Sequence, residues 1–162
     1  MKQILGLILL TSLVVSCKKD ANDPPEVIIS RDSLLVSNTW QMQQINVVQN
    51  DGTVLFYKRG GQNNSWNYDD DYLKFERNGT GIYNAGTQQY EITWQFDNSD
   101  KTELSYTIHN YSNGGPQENS SLDIKLENVY LSESSFRYAE LYTNENGTQT
   151  ICSVYREPKL SN

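Results

Sequence analysis

Gln89-Gln-Tyr-Glu-Ile-Thr-Trp-Gln-Phe-Asp97 alternates polar and apolar residues without a break. On a pleated strand Tyr90, Ile92, Trp94 and Phe96 fall on one side, and Gln89, Glu91, Thr93 and Gln95 on the other. A period of two marks a strand with one face buried and one wet. A helix would scatter the four apolar residues around its circumference. Weaker versions of the pattern flank this stretch on both sides. They predict strands over 40–48, 53–57, 71–77, 80–83, 102–109, 121–127, 134–143 and 148–156.

Turn chemistry separates these segments. Asn50-Asp-Gly52, Asn78-Gly79, Asn98-Ser-Asp100 and Glu145-Asn-Gly147 are hairpin signals, and Asn78-Gly79 is expected to supply the positive φ angles of a tight primed turn. Two longer polar loops interrupt the meander, 59–70 with Gly60, Gly61, Trp66 and Tyr68, and 111–119 with Gly114-Gly-Pro116. Before the first strand, Ser30 suits an N-cap and Asp32 a first helical turn. Leu34 and Leu35 of that short helix should pack against the sheet and close one end.

No helix alternates with the strands, so a parallel α/β sheet is excluded. The expected class is all-β, an antiparallel up-and-down meander of about 8–9 strands closed into a barrel, which removes exposed sheet edges. An immunoglobulin-type sandwich is the alternative, weakened by the missing inter-sheet cysteine pair.

The first residues stand apart from this domain. Met1-Lys-Gln precedes an apolar run from Ile4 to Val15, too short to span a bilayer and built like a secretory h-region. It ends in Leu13-Val-Val-Ser-Cys17, which resembles the lipobox of bacterial lipoproteins, with Val14 where Leu is commonest. The resemblance implies cleavage before Cys17, with Cys17 then carrying a diacylglyceryl thioether and an N-acyl group such as palmitate. Each buried methylene contributes about 0.8 kcal/mol, so two or more chains anchor the protein durably. The organisation is thus 1–16 signal peptide, 17–33 anchored cysteine and flexible tether, and 34–162 barrel. The tether contains Pro24-Pro25 and little to bury. The implied location is the bacterial cell envelope, with the outer membrane expected.

Charge and composition narrow the chemistry. The chain has 13 basic and 20 acidic residues, net −7, so no basic patch exists to attract nucleic acid. With Cys17 acylated, Cys152 has no partner, and its place in an expected strand suits a small core hydrophobe. His109 is the single histidine, placed at a strand end, so neither a serine triad nor a zinc site is expected. Asp69-Asp-Asp71 could coordinate calcium, but consecutive spacing without a following glycine and glutamate favours a solvated loop end. No enzyme, cofactor or metal is expected.

Three short motifs resemble the lipocalin-like domains of small bacterial lipoproteins. Leu35-Val-Ser-Asn-Thr-Trp40 is similar to the helix and Gly-x-Trp opening of a lipocalin barrel, with Asn38 in place of the glycine. Tyr72-Leu-Lys-Phe-Glu-Arg-Asn-Gly-Thr-Gly81 is similar to the Phe-x-x-(Asp/Asn)-Gly-Thr hairpin of that group, and Thr93-Trp-Gln-Phe96 to its next strand. The resemblance covers about residues 34–157. It implies that Arg156, on the last strand, packs over Trp40 as a structural pair.

An eight-stranded barrel is just wide enough to be filled by side chains or to hold one small ligand. The 18 aromatic residues could do either. The expectation is non-catalytic binding of a small apolar or amphiphilic molecule, with Phe75, Tyr90, Trp94, Phe96, Tyr106 and Tyr138 as lining. Trp66 and Tyr68 would stand at the mouth, where rings flanked by amides also suit a sugar. The alternative is a filled barrel that docks a protein or glycan.

Overall fold

The computed structural model describes residues 29–49, 52–64, 66–111, 120–143 and 149–160. The lipobox, Cys17, the tether up to residue 28, the tip of the 50–52 turn and the 145–147 turn lie outside the described residues, as does most of the 111–119 loop.

One short helix, α1 (Arg31–Val36), precedes nine strands: β1 (Thr39–Gln49), β2 (Gly52–Lys58), β3 (Tyr72–Phe75), β4 (Thr80–Ala85), β5 (Gln88–Phe96), β6 (Leu104–His109), β7 (Ser121–Leu131), β8 (Phe136–Thr143) and β9 (Gln149–Pro158). Every pairing is antiparallel, and the spatial order runs β2-β1-β3-β4-β5-β6-β7-β8-β9 with β1 returning to β9. The meander therefore closes on itself as an eight-stranded barrel, and β2 is an extra strand outside the ring. The ring closes where β1 lies along β9, from Trp40 opposite Pro158 to Val48 opposite Ile151.

The founding strand behaves as its alternation requires. In β5, Tyr90 and Ile92 are buried and Trp94 and Phe96 half-buried, while Gln89, Glu91, Thr93 and Gln95 are exposed. Cross-strand pairs continue the inner face into β6, with Ile92 opposite Ile108, Trp94 opposite Tyr106 and Phe96 opposite Leu104. In β7 the pattern runs further than its sequence suggests. Asn128 takes a left-handed φ of 53°. The register against β8 shifts between Glu127 and Tyr130, so Val129 and Leu131 turn inward after Leu126. Such a bulge inserts one residue and breaks the period of two, which is why the alternation seemed to stop.

The Asn78-Gly79 hairpin also departs from expectation. Only Gly79 has positive φ, at 82°. Gly79 N donates to Glu76 O (3.1 Å) and Glu76 N to Thr80 O (2.8 Å), a type I turn closed by a left-handed glycine rather than a primed turn. Asn78 serves through its side chain, with Oδ1 accepting from Thr80 N and Oγ1 (3.1 and 2.8 Å). Gly81 is required by packing, since a Cβ there would lie 2.2 Å from the Lys74 carbonyl oxygen.

Helix α1 caps the barrel end at which β1 begins. Ser30 Oγ accepts from Ser33 N (3.2 Å), the expected N-cap. Six residues cannot hold a helix alone, and tertiary contacts do so here. Leu35 is fully buried, Trp40 Nε1 donates to Leu35 O (2.7 Å), Arg31 donates to Val129 O, and Lys101 pairs with Asp32. Asn38, standing where the lipocalin pattern has glycine, donates to Ser37 Oγ (3.0 Å) and Glu133 O (3.4 Å). Behind the helix the closed end is packed with rings: Trp40 against Phe136 (5.6 Å), Phe136 against Phe75 (6.0 Å), Phe75 against Trp94 (5.5 Å) and Trp94 against Phe96 (5.8 Å). Edge-on pairs of this kind add to the area they bury.

Candidate functional site

The site is created by an irregularity in β1. Its first residues, Thr39 to Gln41, pair with β3, and Gln44 onward pair with β2 along the same edge. Between them the 59–71 loop is bonded into the wall. Met42 N donates to Asp71 O (3.0 Å), Arg59 N to Gln43 O (2.8 Å) and Arg59 Nε to Met42 O (2.8 Å). The loop end is held by Gln41 Nε2 on Asp69 O (3.0 Å) and Asn84 Nδ2 on Asp70 O (2.7 Å). These bonds satisfy main-chain groups that the change of partner strand would otherwise leave empty. They also commit Tyr68 and Asp71 to the barrel interior.

Asp71 meets Arg156 there. Both side chains are about 3% exposed, and Arg156 Nη1 lies 2.7 Å from Asp71 Oδ1. Tyr83 Oη donates to Asp71 Oδ2 (3.0 Å), Arg156 Nε donates to Tyr138 Oη (2.9 Å), and Arg156 Nη1 reaches Trp40 O (3.2 Å). Burial alone lowers the pKa of a guanidinium, but Tyr138 and Asp71 more than offset it and hold Arg156 above its ordinary value. Two sequence expectations are corrected here. Asp71 is not a solvated loop end but a buried counter-ion. Arg156 joins Trp40 through the tryptophan carbonyl, because Asp71 claims its charge.

Beyond the ion pair, the half of the barrel facing away from α1 is lined by tyrosine. Tyr57 and Tyr68 meet edge to face (5.2 Å), Tyr83 stacks on Tyr90 (6.3 Å), and Tyr90 meets Tyr111 (5.3 Å). Tyr57 Oη donates to Asp69 Oδ1 (2.7 Å) and Tyr90 Oη to Gln88 Oε1. Tyr106 is almost wholly buried on β6, and burial pushes its phenol well up, as it does the phenols of Tyr83 and Tyr138. Glu140, on the inward row of β8 after Phe136 and Tyr138, enters the same space opposite Leu126 and Cys152. Its side chain has no hydrogen bond or ion pair among the described residues. Burial raises its pKa, opposed by Arg156 and reinforced by Asp71.

A carboxyl group whose folded pKa is raised holds its proton in the native state after the unfolded chain has lost it. Its stabilising contribution is present below the ordinary glutamate range and lost as pH rises through the folded value. Glu140→Gln removes this burden. The variant is expected to match the parent near pH 4 and to be more stable near pH 7.5 by on the order of 1 kcal/mol. Thermal unfolding at the two pH values measures it, and an equal or lower midpoint near pH 7.5 contradicts it.

The residues expected at a site divide between the two ends. Tyr68, Tyr90, Tyr106 and Tyr138 share the tyrosine-lined interior. Phe75, Trp94 and Phe96 belong to the closed end, where Trp94 Nε1 donates to Glu76 O (3.0 Å) and Thr80 O (2.9 Å). Trp66 is 63% exposed on the loop. His109 lies on the outer wall against Thr93 Oγ1 (3.1 Å). No group of metal-ligating side chains occurs among the described residues. Burial raises the Cys152 thiol pKa, which keeps it a thiol. Two grooves on the barrel wall, one of about 240 Å³ over β5–β6 and one of about 610 Å³ over β4–β5, are open and shallow.

Sequence reading missed Asp71, Tyr83 and Glu140 as interior groups. Glu140 had a visible signal, since Phe136, Tyr138, Glu140 and Tyr142 occupy alternate positions. Asp71 had none, because its place depends on where β1 changes partner. Searches against family models, curated proteins and solved structures find no match to this chain.

Proposed function

We propose that the chain is a lipid-anchored cell-envelope protein of lipocalin-like architecture that binds, without catalysis, a small amphiphilic molecule at the open end of its barrel. One observation carries this reading. The half of the barrel beyond Arg156 and Asp71 is lined by tyrosines, and Glu140 and the hydroxyls of Tyr68 and Tyr106 have no hydrogen-bond partner among the described residues. None of these polar atoms is among the fully buried unpartnered ones, so water can reach them, and an amphiphile whose head meets these groups would take the place of that water. The Leu13–Cys17 sequence supports the anchor, and the closed eight-stranded wall supports the architecture.

A second reading has its own support. Leu141, Ile151 and Val48 lie side by side on β8, β9 and β1, with 53%, 48% and 43% of their surface exposed. Leu55 on β2 is 54% exposed nearby. Such an outer apolar row suits a docked protein better than it suits water.

Calorimetric titration of the full chain carrying Cys17→Ser, which cannot be acylated, tests the first reading. Decanol, decanoate and decylammonium are used below their micellar concentrations. Saturable binding with a tyrosine difference spectrum is expected from at least one of the three. No binding from any of them leaves the filled, docking barrel as the better account. The parent chain should fractionate with membranes and the Cys17→Ser chain should not.

A further inference from the structure

Closure of the ring leaves β2 with a free edge. This strand is bonded to β1 along one side and to no strand along the other. Lys58 at its end turns its main-chain groups to the free side, where the Asn64 amide takes both: Oδ1 accepts from Lys58 N (3.0 Å) and Nδ2 donates to Lys58 O (2.8 Å). One side-chain amide does there what a neighbouring strand would do. Nothing among the described residues continues this cover toward Gly52. Gln43 O faces β2, accepting from Arg59 N (2.8 Å), and Ile45 and Val47 follow at alternate positions of β1. Val54, opposite Val47, therefore spends its main-chain groups on β1. Thr53 and Leu55, one position to either side, present N–H and C=O to the free edge. The segment is exposed from Gly52 to Leu55, with Val54 at 49% and Leu55 at 54%, and it holds neither proline nor charge. Such an edge is a template for another strand.

We propose that this edge joins a second copy of the chain, β2 pairing antiparallel with β2 about a two-fold axis at Val54. The inference is independent of whether the barrel takes an amphiphile. In this register the edge fits itself. Thr53 of each copy stands opposite Leu55 of the other, and the two exchange both main-chain bonds, using groups that the monomer leaves to water. Val54 meets its own symmetry mate in a non-hydrogen-bonded pair, where side chains approach most closely. Gly52 stands opposite Phe56, and the space above Gly52 is open, with no atom within 4 Å of where a Cβ would lie. An aromatic ring across from an edge glycine covers it. Lys58, the charge of this strand, falls outside the paired stretch, so no like charges are opposed. A foreign strand would have to bring a free edge, a short apolar run and a ring to face Gly52. A second copy brings all three.

A strand pair this short belongs with small, transient interfaces. The full Cys17→Ser chain is therefore expected to pass from monomer to dimer as its concentration rises through the micromolar range, with sedimentation equilibrium reading the mass. Two copies of net charge −7 repel each other, so added salt should favour the dimer. Leu55→Lys sets a charge on the free edge and should weaken the dimer about tenfold or more. Leu141→Lys, on the outer row away from the edge, should leave it unchanged. Hydrogen exchange checks the register: the amides of Thr53 and Leu55 should slow as the dimer forms, while that of Val54 is slow throughout. A chain that stays monomeric overturns the inference and leaves the edge to a strand of another protein. Dimers that survive Leu55→Lys, or that form without protecting Thr53 and Leu55, also overturn it, because their contact then lies elsewhere on the chain.

Discussion

Asp71→Ala should lower the unfolding free energy by about 3–5 kcal/mol, the usual consequence of removing one partner from a buried ion pair. The loss does not measure what the pair contributes over an apolar core. It measures a guanidinium left about 2% exposed in the barrel. Tyr138 and the Trp40 carbonyl would still bond Arg156, and Glu140, whose pKa Arg156 lowers, would be left as a carboxyl coupled to it without a direct ion pair. Tyr83 would also lose the acceptor of its hydroxyl. A second effect is local. Asp71 is the residue at which the loop re-enters the wall, and its main-chain oxygen bonds Met42 N. Without the side-chain pair, that join depends on main-chain bonds alone. The double variant Asp71→Leu with Arg156→Met separates the two causes. If the unpaired charge dominates, the double variant should recover most of the loss, because apolar replacements of a buried pair are often neutral or better. Urea unfolding of the parent, both single variants and the double variant decides it. A loss below about 1 kcal/mol in Asp71→Ala would show that water reaches Arg156 and that the interior is wetter than its burial implies.

The same residue marks where sequence reading stops being sufficient. The fold was legible because β5 and β6 obey one rule without exception: period-two alternation places Tyr90, Ile92, Leu104, Tyr106 and Ile108 inward by geometry alone. Turns and strand order followed from short polar breaks between such runs. Closure of the ring could be expected from the need to remove sheet edges, but its register could not. Each error arose where a residue was inserted into the pattern. The Asn128 bulge returned Val129 and Leu131 to the core. The irregularities of β1 between Met42 and Asn46 moved β2 out of the ring and brought the loop into it. A bulge is read locally as the end of a strand, although it is a continuation with the phase shifted.

The site was harder to read for a related reason. Rings that alternate along a strand all look alike in the sequence, whichever end of the barrel they occupy. Phe75, Trp94 and Phe96 were grouped with Tyr90, Tyr106 and Tyr138, yet the first three seal the end under α1. What separates the groups is the hydroxyl. The closed end uses Trp and Phe, whose polar needs are few and are met by turn carbonyls. The other end uses tyrosines together with a carboxylate. The division is graded rather than sharp, since Tyr106 meets Phe75 at 6.4 Å and Tyr138 meets Phe136 at 4.9 Å.

Trp40→Ala should have an effect comparable to the loss of Asp71, about 3–5 kcal/mol, the range for truncating a buried tryptophan. The ring is fully buried and lies edge-on to Phe136, which also touches Phe75 and Tyr138. The vacated space cannot easily collapse, because its walls are strands fixed by a closed ladder. Trp40 also holds α1, through Nε1 on Leu35 O at 2.7 Å. Trp40→Phe isolates this second role: it keeps most of the ring and removes the donor, leaving the buried Leu35 carbonyl without that partner at about 1 kcal/mol. The two variants should therefore fail differently. In Trp40→Phe, hydrogen exchange should speed first at Leu34, whose amide donates to Ser30 O within α1 (3.0 Å), while β5 and β6 stay protected. In Trp40→Ala, protection should fall across the whole ring, because the cavity lies where β1 and β8 meet the closed end. Loss confined to the helix in both variants would mean that the barrel holds its shape without the ring, and that Trp40 serves the helix alone.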